Sequence, residues 1–240
     1  MKLTIPLLAL SVLFSTPLLA QNSWQIELNS YGGQVLGDFS ESDQINTTNG
    51  FSEHSFSNDL TVKYYIGDLG LGIRFSSGLY SLDYEEYEES LAEFFNAENN
   101  AYRNRPNFGY FSLSSMFGIS YRVGIAEKWS LEPSFFFGGM SLVVPGDDMV
   151  FQRGATTERF ISETSVTEGL VLAPGIRANW QFHKNFGASV MLEYQYTSLE
   201  EVEIEGVIYD VNGIAEFELE KQLSPQAFQL GIGFYYNFGS

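Results

Sequence analysis

Across residues 228–238 every second position is apolar: Phe228, Leu230, Ile232, Phe234, Tyr236 and Phe238, with Gln229, Gly231, Gly233, Tyr235 and Asn237 between them. A period of two places the two sets on opposite faces of a strand. Seven earlier segments follow the same rule. Their apolar sets are Trp24, Ile26 and Leu28; Leu60, Val62, Tyr64 and Ile66; Leu69, Leu71, Ile73 and Phe75; Phe111, Leu113, Phe117, Ile119 and Tyr121; Trp129, Leu131, Phe135 and Phe137; Leu170, Leu172, Ile176 and Trp180; and Phe186, Ala188, Val190, Leu192, Tyr194 and Tyr196. The alternate positions are mainly Gly, Ser and scattered charges. Each segment spans roughly ten residues, the length a tilted strand needs to cross a bilayer. Pro133 and Pro174 fall inside the fifth and sixth segments and predict a bulge or local break, because proline removes a ladder hydrogen bond.

The connections alternate in length. Those around Gly67 and Asp68, around residues 124–128 and around residues 182–185 are short. The other four are long, roughly 20 residues or more, as in bacterial barrels with tight periplasmic turns and long outer loops. The pattern predicts an all-β fold, an eight-stranded antiparallel up-and-down transmembrane β-barrel. Trp24, Trp129 and Trp180 fall at the periplasmic ends of their strands, together with Tyr64, Tyr121, Tyr236 and Phe238. Such rings favour the membrane interface, being apolar bodies, most of them with a polar tip. A soluble lipocalin-like barrel or sandwich also alternates, but it turns its apolar face inward. The small, polar second face fits a narrow lumen instead.

The N-terminus changes the compartment. Lys2, a mostly apolar stretch over residues 3–13, and Ser15, Thr16 and Ala20 read as a signal peptide over residues 1–20, with 21–240 forming the barrel domain. Leu18 is a poor match to the small residue expected three positions before the cut. Cysteine is absent, which excludes disulfides, a lipid-modified N-terminal Cys and thiolate sites. No later run is apolar and long enough for a spanning helix.

Parity places Glu27, Lys63, Arg74, Arg122, Glu132, Arg177 and Glu193 inside the barrel. An eight-stranded barrel is filled by its side chains. Buried charges must be paired or cost on the order of several kcal/mol each, so these residues predict an internal salt-bridge network in a packed polar core. The sharper form of the same reading is a narrow gated channel for small solutes whose ion pairs exchange partners.

The net charge is −18, and the long loops hold most of the 30 acidic residues. That places nearly all the negative charge outside, repels nucleic acid and favours divalent cations or a basic partner. The spacing of a calcium-binding loop is absent, so a solvated, self-repelling face is the simpler expectation for these carboxylates. Tyr84, Tyr87, Leu91, Phe94 and Phe95, set among glutamates, predict a short amphipathic helix in the second loop. In the fourth, Asn212-Gly213 predicts a hairpin with Glu201, Glu203, Glu205, Glu216, Glu218 and Glu220 on one face and Ile204, Ile208, Phe217 and Leu219 on the other.

The eight segments, the loop pattern and the aromatic last strand together resemble the small outer-membrane β-barrels of OmpA/OmpX type across the whole mature chain. The resemblance rests on architecture and not on a diagnostic motif. It implies residence in the Gram-negative outer membrane among lipid and lipopolysaccharide, and delivery by the barrel-assembly machinery. The terminal strand departs from the usual signal because Gly239 and Ser240 follow Phe238. The peptidoglycan-binding domain of some relatives does not follow, so a wall-anchoring role is not expected. The expected role is structural or surface-interacting, without cofactor or metal. Two relatives of this fold act on lipid A through a His with a Ser and a carboxylate. Here His183 falls in a periplasmic turn, and His54, beside Ser55 and Ser57, is the one candidate for a lipid A acyl hydrolase or transferase. The expectation is no enzyme.

Overall fold

The computed structural model describes residues 23–41, 50–104, 109–210 and 213–239; residues 1–20, expected to be a signal peptide, lie outside them. In chain order the elements are β1 (Ser23–Leu36), a 3-10 turn (Gly37–Ser40), β2 (His54–Ile66), β3 (Leu69–Tyr80), α1 (Tyr84–Phe94), β4 (Asn99–Asn104), β5 (Tyr110–Tyr121), β6 (Val123–Ala126), β7 (Trp129–Val144), β8 (Asp148–Arg153), β9 (Thr156–Ser162), β10 (Ser165–Gln181), β11 (Phe186–Leu199), β12 (Val202–Asp210), β13 (Gly213–Lys221) and β14 (Gln226–Phe238). Eight strands close a ring in the order β1-β2-β3-β5-β7-β10-β11-β14, and β14 pairs back onto β1 from Trp24↔Phe238 to Leu36↔Gln226. Every pairing in the ring is antiparallel.

The prolines interrupt pairing without shifting register. The β5–β7 ladder stops at Ser120↔Ser134, one step short of Pro133, and β6 resumes it at Val123↔Leu131. The β10–β11 ladder lapses between Leu172↔Tyr196 and Gly175↔Glu193, where Pro174 sits.

The wall is apolar outside. Leu28, Phe75, Phe117, Leu170, Leu230 and Phe234 are all more than half exposed. Inward residues of the same strands are buried, among them Gln25, Glu27, Lys63, Arg74, Glu132 and Arg177. The lumen has two zones, which corrects the expectation of a uniformly polar core. Toward the short turns it holds the charges. Toward the long loops it is uncharged and mainly apolar, with Met116, Phe136, Met140, Leu142, Val171 and Leu199 beside Ser55, Ser57, Ser112, Thr167 and Thr197. Glycines make room for the large inward side chains. Gly118 lies opposite Phe136, and Gly187 lies opposite Tyr235. A Cβ at Gly118 would run into the fully buried Phe136 ring, so glycine at this position leaves room for that ring.

The loops form structure of their own. Phe39, delivered by the 3-10 turn, packs over the lumen against Tyr80 and Tyr110, with ring centroids 5.7 and 4.9 Å away. Above it lies a second, five-stranded sheet in the order β13-β12-β9-β8-β4, built from three different loops. The sequence predicted its β12–β13 hairpin. Gly213, expected in the turn, instead belongs to the ladder, where it pairs with Asp210; Asn212 lies outside the described residues.

The predicted helix is α1. Asp83 caps it, accepting from the backbone N–H of Glu85 and Glu86 at 3.1 and 3.2 Å, an arrangement worth about 1 kcal/mol. Glu85 and Glu86 in the first turn also suit the positive end of the helix dipole. Leu91 packs with Met149, Phe151 and Phe160 of the second sheet. Phe94 does not join the buried face; it is 62% exposed, while Phe95 packs on Phe151 and Phe160.

Candidate functional site

Two buried ionic clusters occupy the charged zone. In the first, Glu132 on β7 is the hub. Its Oε1 receives Lys63 Nζ at 2.5 Å and the Tyr65 hydroxyl at 2.9 Å, and its Oε2 accepts from Asn179 Nδ2 at 3.0 Å. Lys63 bridges to Glu27 at 2.9 Å, and Arg177 pairs with the other Glu27 oxygen. Arg122 sits at the turn-end mouth with its side chain 27% exposed. It donates to Gln25 at 2.5 Å, stacks 4.1 Å above the Tyr65 ring and stands 4.0 Å from Glu132.

The second cluster surrounds Arg74. Its Nη1 donates to Glu193 at 2.6 Å, and its guanidinium lies 4.0 Å over the Phe136 ring. Asp59 stands 3.4 Å from Arg74 Nε, close enough for charge attraction though not hydrogen-bonded there. Asp59 instead accepts from Asn29 and Thr61 at 2.7 and 2.9 Å.

All seven sequence-predicted lumen charges thus meet in these clusters. Asp59 is an eighth, which the sequence reading missed. It shares parity with Thr61 and Lys63 but lies one residue before the second alternating segment, which starts at Leu60. Its inclusion balances the lumen at four acids and four bases. The first cluster carries one surplus positive charge, and the second one surplus negative charge.

The predicted aromatics gather at the turn end. Trp129 and Trp180 pair across β7 and β10 and stack with centroids 6.0 Å apart. Trp24 leans on Tyr64 at 4.9 Å, and Tyr236 contacts Phe186 and Phe238 at 4.7 and 4.4 Å. Tyr121 closes β5 opposite Leu69, half-buried.

The His54 candidate does not assemble. Its side chain is exposed on the outer face, 3.6 Å from Glu53. Strand alternation turns Ser55 and Ser57 inward, where both are buried and contact Gln229. His183 is exposed in its turn, as the sequence placed it.

The second sheet presents two faces. On one, Glu203 pairs with Glu220 and Glu205 with Glu218, and Glu216 lies opposite Val207; all five glutamates are exposed. Like charges directly opposite each other are destabilising, so this ladder depends on the apolar underside for its position. Beneath it is a partly enclosed cavity of about 180 Å³, lined mainly by Leu82, Tyr110, Val144, Ile204, Leu219 and Leu223, with Asp147, Glu218 and Lys221 as charged members. Asp147 is buried and accepts from the Tyr87 hydroxyl at 2.8 Å, and its own N–H donates to Ser162 Oγ at 2.9 Å. Nothing in the sequence marked Lys221 as buried, because it ends a strand otherwise exposed.

No protein-family model matches the chain, and no curated protein matches it. Solved structures do. A major outer membrane protein from Thermus thermophilus is 14% identical, with 90% of this chain and 99% of that chain covered and a TM-score of 0.49. Ail, the attachment invasion locus protein of Yersinia pestis, is 16% identical, with 90% and 99% covered and a TM-score of 0.43. Neisserial surface protein A is 11% identical, with 90% and 97% covered and a TM-score of 0.42. The closed ring of eight antiparallel strands described above, apolar outside and ionic within, gives this chain the architecture of the small eight-stranded outer-membrane β-barrels.

Proposed function

We propose that the protein is an integral outer-membrane barrel that acts through its loop-end cap as a surface-interaction element, without catalysis. An apolar wall that leaves so many large side chains bare requires lipid around it. The turn-end aromatics then mark the periplasmic interface, and the cap faces outward. The glutamate ladder carries the reading. It is a regular negative surface held on a folded sheet, and it suits a basic partner approaching by electrostatic attraction. Among the described residues no three acidic or histidine side chains converge as a metal site, so a polycationic partner fits the ladder better than a bound divalent ion does.

The test is binding of a polylysine peptide to the protein in lipid nanodiscs. Affinity should fall as salt rises, and by at least tenfold when Glu203, Glu205, Glu218 and Glu220 are all replaced by Gln. Equal affinity for both proteins would overturn the role of the ladder. The separation of His54 from Ser55 and Ser57 favours the non-enzymatic reading. Replacing His54 by Ala should leave lipid A composition unchanged, and a change in acyl-chain number would count against it.

A further inference from the structure

The cavity beneath the cap has one feature its apolar lining does not explain. Lys221 is 5% exposed, and among the described residues its side chain has no hydrogen-bond or ion-pair partner. An ammonium taken out of water needs a counter-charge or hydrogen-bond acceptors to be stable. Asp147 is the other buried charge in the lining, and its negative charge acts on Lys221. It lies beyond ion-pair distance, and its carboxylate is occupied by the Tyr87 hydroxyl. Glu218 also lines the cavity, but it is exposed. The site therefore offers a buried cation with no direct partner among the described residues, in a lining that is apolar or aromatic apart from Asp147, Ser162 and Glu218.

The size limits what enters. A dry apolar cavity of about 150 Å³ accepts a benzene-sized molecule. A cavity of about 180 Å³ holds one ring or a short acyl tail with a small polar group. A full lipid chain exceeds it. Convergent apolar walls with a few placed polar or charged groups form the usual plan of a small-molecule site, in which the walls supply affinity and the polar groups fix orientation.

We infer that this cavity binds a small organic monocarboxylate, with its ring or short tail among Tyr110, Ile204, Leu219 and Leu223 and its carboxylate on Lys221. The occupant is a free solute, and it enters from the loop side. Binding it ties α1, the β7–β8 connection and the β12–β13 hairpin together, because the lining comes from all three.

The experiment uses the full barrel in nanodiscs, titrated calorimetrically with benzoate, with benzyl alcohol as a neutral ring and with acetate as a ringless anion. Benzoate should saturate one site and bind at least tenfold tighter than either control. Lys221→Met should lose that preference and bind benzoate no better than benzyl alcohol. A second variant, Leu219→Trp, fills the space while keeping the lysine, and should lose benzoate as well; heat-modified gel mobility shows that both variants are folded. The inference fails if benzoate and benzyl alcohol bind alike to the unaltered protein, if acetate binds as tightly as benzoate, if benzoate does not bind, or if either folded variant retains benzoate at full affinity.

Discussion

Glu132 satisfies Lys63, Tyr65 and Asn179 at once, and its side chain is fully buried. A neutral amide there keeps the shape and removes the charge, leaving Lys63 to share Glu27 with Arg177. Breaking a buried ion pair from one side costs about 3–5 kcal/mol, because the partner charge stays behind. Glu132→Gln should therefore lower the stability of the folded barrel by that order, read from the denaturant midpoint of the folded gel band in lipid. A midpoint unchanged within error would mean that the cluster reorganises around the loss. At this scale parity was a good guide wherever it was followed far enough. It failed at Asp59, one position beyond a segment boundary. It held at Phe136: with Phe135 and Phe137 in the outward set, parity turns the middle ring of the three inward, where it is buried.

At the scale of elements, the cap is the part that pH reaches. Burial pulls the Lys221 ammonium down to about 8, while the negative charge of Asp147 pulls it back up. The groups facing it are Asp147 from the β7–β8 connection, Tyr87 from α1, Tyr110 from β5 and Glu218 from its own strand. In the unfolded chain the same ammonium titrates near 10.5. Between about 8 and 10.5 the unfolded state therefore holds more protons than the folded one, so this residue's unfavourable contribution is fully present below pH 8 and is relieved as pH rises through that window. Ligand affinity runs the other way, because a carboxylate needs the protonated lysine. Benzoate binding should weaken about tenfold from pH 7 to pH 9, and a flat profile would remove Lys221 from the site.

The helix and the β12–β13 hairpin were legible because each carries its own local signals: amphipathic spacing in one, alternation and a turn in the other. β4, β8 and β9 were not. Their pairing joins residues from separate loops, and no local period records that.

The whole molecule closes at both levels. The ionic clusters fill one half of the lumen, and the apolar residues with Phe39 above them fill the other. Reconstituted in a planar bilayer, the protein should show no resolvable conductance; steady unitary currents altered by Glu132→Gln would revive the channel reading. The ring itself was readable from the sequence because a lipid-facing wall imposes strict alternation on every strand. The apolar half of the lumen was not, since inward Met140, Leu142 and Val144 obey the same alternation as outward residues and differ only in parity.

The second sheet also bears on how the molecule is recognised. β8 and β9 stand at its centre: β4 pairs with β8, and β12 pairs with β9. Tyr209 and Arg159 are neighbours on it although 50 residues separate them in the chain. An antibody footprint on this surface is accordingly a composite of several loops that exists only while the central hairpin is intact. Synthetic peptides copied from single loops should raise sera that bind the denatured chain and miss the living cell, and shortening the β8–β9 hairpin should erase such epitopes from loops it does not touch in sequence.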